Sequence, residues 1–304
     1  MRCIFAVLGF IALVPAVYGN DVAELQGSAS NALAEDDYPT AEAQLSEALG
    51  IEPDNAYSLY LMALTYLNRG SNLVEAQAYL DRAEEAGAQP QALSLLRARL
   101  YAKQDRVNDA LTEIETLAAG GYGQLARLDD QPDFDRLRAN ARFVKARESI
   151  KATRFPCEAD ERHQDFDFWI GDWNVYQNGT YAGQNRITSL LGGCLIFEQW
   201  ESASGSLGKS FNYFDPSKNH WRQIWIADTG TMIEFTGEAR DGGIYYTAET
   251  TDPNTGELTH HRFEFTLHSE GGVRQFWAVS NDIEKGEWTT IWDGHYVPNP
   301  DNGM

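Results

Sequence analysis

A chain of 304 residues with 43% hydrophobic and 12% aromatic side chains has the composition of a folded protein, and its length suits two domains. The formal net charge is −21, with 22 acidic and 12 basic residues in 20–150 and 23 and 11 in 151–304. Acidity spread over both halves repels polyanions, which argues against nucleic acid and anionic membrane surfaces as partners.

Residues 1–19 read as a secretory signal. Arg2 supplies the positive start, Ile4 to Val14 is apolar, and Val17-Tyr18-Gly19 offers a cleavage point before Asn20. The apolar run is short for a bilayer span and meets Pro15. An exported protein, periplasmic or extracellular and free of the membrane after cleavage, is the expectation. Cys3 leaves with the signal, so Cys157 and Cys194 remain. In an oxidising compartment a disulfide between them is expected, with two separate buried thiols as the alternative.

From about residue 21 a pattern returns roughly every 34 residues. Ala41, Leu45 and Ala48 are followed by Pro53; Ala76, Leu80 and Ala83 by Pro90; Ala110, Ile114 and Leu117 come third. Small and large residues at helical spacing predict close-packed helix pairs: 21–33 with 41–49, 56–68 with 73–86, and 91–103 with 107–119. Gly70 is placed as a helix C-cap. The spacing over residues 22–119 resembles the tetratricopeptide repeat. That resemblance implies a solenoid that docks a protein partner, with Tyr60, Tyr66 and Arg97 on its concave face. Residues 125–150 do not repeat; Phe134, Leu137 and Phe143 are expected to cap the open end. The helical domain is therefore 20–150, with a polar linker at 151–164.

After residue 165 the period changes to two. Runs at 173–178, 184–192, 194–202, 208–214, 219–228, 231–239, 243–250, 258–268, 272–281 and 287–297 read as strands. Turn signals such as Asn178-Gly179 and Asp252 to Gly256 separate them. With no helical stretch between them, successive hairpins close most simply into an antiparallel up-and-down barrel of eight to ten strands over 165–298, leaving 299–304 as a tail. The fold class is thus multidomain: all-α solenoid, then all-β barrel.

Residues 166–176 read FDFWIGDWNVY. The Gly171-x-Trp173 entry resembles the opening motif of the calycin superfamily, which joins lipocalins, fatty-acid-binding proteins and nitrobindin-like barrels. The resemblance implies that Trp173 plugs the closed end and that an arginine, Arg274 or Arg262, stacks on it. The region 165–297 is also similar to a family of exported bacterial domains, through that stretch and Gly193-Cys194, Glu198-x-Trp200, Ser210-x-Asn212 and Trp221 to Asp228. That likeness implies a fold and a compartment but no activity.

A barrel of this kind encloses a cavity. Strand alternation puts Glu198, Trp200, Asn212, Gln223, Trp225, Gln275 and Trp277 forward as ligand-binding residues, with the tryptophans stacking a planar or apolar ligand and the polar groups fixing one end. Two alternatives stay open. The same side chains could fill the core and leave the barrel a second interaction surface. Glu198, Asn212 and Asp228 could instead serve hydrolase or isomerase chemistry. Adjacent His260 and His261 point to opposite faces of a strand, so no metal site is expected. No cofactor is expected either; haem at His295 follows only from its late position, as the nitrobindin-like resemblance would have it.

Overall fold

The computed structural model describes residues 18–300. The expected signal falls almost wholly outside them, as do residues 301–304 of the tail. Two compact units divide after Arg154. Among the described residues no helix is long and apolar enough to cross a membrane.

The first unit is helical. α1 (Tyr18–Ala34) pairs with α2 (Tyr38–Ile51), α3 (Ala56–Arg69) with α4 (Leu73–Glu85), and α5 (Pro90–Lys103) with α6 (Val107–Ala119). The repeating residues are what the pairs close on. Ala41, Leu45, Ala48, Ala76, Leu80, Ala83, Ala110 and Ile114 are all fully buried. The alanines let helices approach, and the leucines and isoleucine fill the space between them. Asp37 caps α2 through the Thr40 N–H, Asn55 caps α3 through the Ser58 N–H, and left-handed Gly70 ends α3.

α7 (Leu125–Asp129), a 3-10 turn at Pro132–Phe134 and α8 (Ala141–Arg154) follow. Phe134, Leu137, Phe143 and Ile150 bury themselves against Ala110, Leu111, Ile114 and Leu117 of α6. α8 runs through residues 151–154, which sequence pattern assigned to a linker. The rest of that stretch is ordered too, as α9 (Pro156–Ala159) and a 3-10 turn at Glu161–Gln164.

The second unit is a closed barrel of ten antiparallel strands. They are β1 (Gly171–Gln177), β2 (Thr180–Leu190), β3 (Leu195–Ser202), β4 (Leu207–Asp215), β5 (His220–Ala227), β6 (Met232–Arg240), β7 (Gly243–Thr251), β8 (Leu258–Leu267), β9 (Val273–Ser280) and β10 (Thr289–Pro298). Each pairs with its neighbours in sequence, and β1 pairs with β10 to close the ring. β2 begins four residues earlier than the pattern suggested, because Asn178-Gly179 makes a two-residue turn straight off β1.

One end of the barrel is plugged. A 3-10 turn at Asp167–Trp169 inserts Phe166 and Trp169, both fully buried, among Trp221, Tyr246, Phe265 and Tyr296. Trp173 packs beside them, and its indole N–H donates to the Trp169 carbonyl at 2.8 Å. Gly171 has no Cβ where the Trp173 ring folds back, since a Cβ would lie 3.3 Å from it. Neither Arg274 nor Arg262 covers Trp173 in the way the motif resemblance implied. Arg274 pairs with Asp293 and lies over Phe276, and Arg262 pairs with Glu264, all on outward-facing positions. A disulfide joins Cys157 in α9 to Cys194 in the β2–β3 turn.

Candidate functional site

Strand alternation sorts the barrel interior into tiers. β4 shows it plainly: Gly208, Ser210, Asn212 and Phe214 are buried while their neighbours are not. The plugged end is aromatic. The middle tier is polar, and tryptophans surround the far end.

The middle tier is one hydrogen-bonded network. Glu198, only 2% exposed, accepts from Asn185 Nδ2 at 2.6 Å and from Ser210 Oγ at 2.6 Å. Ser210 Oγ accepts from Asn212 Nδ2 at 2.8 Å, and Asn212 Oδ1 accepts from Gln223 Nε2 at 2.8 Å. On the opposite side Asn185 Nδ2 reaches the Tyr296 hydroxyl at 3.2 Å, which donates to Gln275 Oε1 at 2.8 Å. Burial is the main influence on Glu198 and pushes its carboxyl up to about 7, against the two hydrogen bonds that favour the charged form. Burial also holds Tyr246 and Tyr296 well above the ordinary phenol range, reinforced by the Glu198 charge, so both stay neutral.

Above this floor lies a cavity of about 220 Å³ lined by Glu198, Gln275 and Tyr296 below and by Trp200, Trp225, Phe263, Trp277, Trp292 and Ile291 around it. Ile291 is 46% exposed and marks the mouth. The rings stand in several planes: Trp200 crosses Trp292 at 80°, and Phe263 meets Trp277 at 42°. Two walls are fixed from outside the cavity. Trp225 lies where a Cβ on Gly208 would be, 2.0 Å from its ring. The Trp277 indole N–H donates to His261 Nδ1 at 3.1 Å, and His261 Nε2 meets Thr250 Oγ1 at 2.8 Å. Accepting at Nδ1 makes His261 a neutral Nε2–H imidazole; burial, then His260, lowers its pKa.

Of the seven residues put forward from sequence, Glu198, Trp200, Trp225, Gln275 and Trp277 line this cavity. Asn212 and Gln223 sit in the network beneath it. Asn185, Ser210, Trp292 and Tyr296 were not put forward, although Ser210 shares a strand face with Asn212. Asp228 stands apart from Glu198 and Asn212: it is exposed in the β5–β6 turn and accepts the Leu207 N–H. His295 faces outward, next to inward Tyr296, with its ring stacked on His268 at 3.7 Å. His268, Glu270 and His295 bring possible ligand atoms within 4.8 Å of one another. One nitrogen of each imidazole is engaged there, His268 Nδ1 by the Glu270 N–H and His295 Nε2 with the Gly271 carbonyl.

In the helical unit, Tyr60 lines a hollow of about 430 Å³ with Leu64, Leu95, Arg99 and Arg127. Tyr66 and Arg97 do not line this hollow and have partners of their own. Tyr66 donates to Glu42 at 2.6 Å, a bond that with burial pushes its phenol up to about 12. Arg97 pairs with Glu84 at 2.5 Å and with Asp81.

No protein-family profile matches the chain, and no curated protein matches it significantly.

Proposed function

We propose that this is an exported, non-enzymatic binding protein whose barrel, similar to the calycins, holds a small ligand while its tetratricopeptide-like repeats dock a protein partner. The observation that carries the reading is the cavity: about 220 Å³, walled by four tryptophans and floored by a buried polar network. Apolar walls with a few convergent polar groups are what small-molecule sites share. Core packing alone would have filled that volume, since interiors leave few voids larger than a water. The Cys157–Cys194 disulfide supports an oxidising compartment. For the repeats, the support is the phase of the buried alanines and leucines over three helix pairs and the hollow beside Tyr60.

Native mass spectrometry of the mature chain purified from its own host tests the barrel reading. A reproducible extra mass, lost when Trp200 and Trp277 are both changed to alanine, is the expected result. A bare polypeptide mass together with tryptophan emission left unchanged by non-fluorescent probes of each charge, cyclohexanol, hexanoate and choline, would refute it.

A further inference from the structure

The direction of each hydrogen bond around Glu198 can be followed from donor to acceptor. The Tyr296 hydroxyl gives its proton to Gln275 and accepts from Asn185, whose other contact is Glu198 Oε1. Ser210 Oγ accepts from Asn212 and lies 3.4 Å from Gln223 Nε2, so its own proton goes to Glu198 Oε2. With the amides turned this way both carboxyl oxygens accept, while Asn185 Oδ1 and Gln223 Oε1 are buried without a partner. The floor is arranged around a carboxylate.

A buried carboxylate is costly unless a cation pairs with it. Among the described residues no ion pair to Glu198 is found, and the facing titratable groups, Tyr246 and Tyr296, are neutral. Lys209, on the outward side of β4, is the least of the influences on Glu198. The missing positive charge has one place to come from on the cavity side, where the walls are indole rings. Aromatic rings attract cations, tryptophan most strongly, and more so when the site is desolvated. Rings in several planes suit a compact charged group better than a flat slot would. The 23 acidic and 11 basic residues of 151–304 concentrate cations around the unit and repel carboxylates.

Resting on the reading that the cavity is a ligand site, we propose that its ligand is an organic cation, a quaternary or protonated ammonium seated among Trp200, Trp225, Trp277 and Trp292 with its charge towards Glu198. A fatty acid would set a second negative charge against the floor. A neutral apolar molecule would leave Glu198 uncompensated.

Two pairs of probes of equal shape test this on the full mature chain: choline against 3,3-dimethylbutan-1-ol, and benzyltrimethylammonium against neopentylbenzene. Binding is followed by tryptophan emission. At about pH 8 the charged member of a pair is expected to bind at least about tenfold tighter, a difference of about 1.4 kcal/mol. The advantage is expected to shrink towards about pH 6, as the Glu198 carboxyl takes up its proton. In Glu198→Gln it is expected to vanish while the neutral probe still binds; should that variant not fold, the pH series on the wild type decides. Equal or tighter binding of the neutral members would overturn the cation proposal and leave the cavity reading standing. No binding by any of the four would overturn both.

Discussion

Replacing Glu198 by glutamine removes the one buried charge of the barrel floor while nearly keeping its shape. In the folded chain the carboxyl is raised from an ordinary 4.5 to about 7, chiefly by burial. At about 1.4 kcal/mol per tenfold change in proton affinity, that rise amounts to roughly 3 kcal/mol. Below the ordinary value both folded and unfolded chains hold the proton, and the contribution to stability is fully present. Between that value and about 7 the unfolded chain has lost the proton and the folded chain retains it, so stability falls as pH rises. Above about 7 the loss is complete. The glutamine variant lacks this slope. It carries instead a pH-independent penalty of about 1 kcal/mol, because the Ser210 hydroxyl must turn away from the new amide NH2. Relative to wild type, the variant is therefore expected to gain roughly 3 kcal/mol between about pH 4.5 and pH 8. Urea unfolding followed by tryptophan emission measures it, and all eight tryptophans lie in the barrel unit, so the signal reports that unit alone. Parallel pH profiles for the two proteins would refute the assignment of a buried, uncompensated carboxyl.

Removing the Cys157–Cys194 bridge by a double serine substitution is expected to lower barrel stability by roughly 4 kcal/mol, the chain-entropy value for its 37-residue separation, read as a drop in the urea midpoint. Gly208→Ala sets a methyl group against the Trp225 ring; the ring must shift, at about 1–3 kcal/mol, with a change in tryptophan emission and weaker binding in the cavity. An unchanged spectrum would mean Trp225 does not hold that wall. In the helical unit, Leu80→Ala empties a fully buried position and is expected to cost about 2–5 kcal/mol, seen as earlier loss of ellipticity at the helix band.

The architecture was readable because both units repeat a local rule. Ala76, Leu80 and Ala83 lie on one side of one helix, and nothing distant is needed to see it. Ser210, Asn212 and Phe214 share a face for the same reason. What stayed hidden depends on closure. Asn185 meets Tyr296 from the far end of the unit, through strands that only the β1–β10 pairing brings together. Trp292 shares a face with Gly294 and Tyr296, but nothing within β10 marks that face as the inner one until the strand is closed against β1 and β9. Phe166 and Trp169 read as a turn leading into a strand; their burial comes from partners on β5, β7, β8 and β10. The bonds of Tyr66 to Glu42 and of Arg97 to Glu84 join side chains of different helices, and periodicity within one helix does not show them.

The seam between β1 and β10 also dictates an order of assembly. Every other ladder joins strands linked by a turn, whereas this one joins Trp173 to Pro298 and must close nearly the whole unit. Ring closure grows dearer with the length of chain enclosed, so the local hairpins form ahead of it. During synthesis β10 is also the last strand to emerge, and until it docks the sheet has two unpaired edges open to other chains. Trp292 and Tyr296 arrive on that strand. The cavity therefore comes into being only with the final step, and a chain shortened before Thr289 would have nine strands, sticky margins and no pocket.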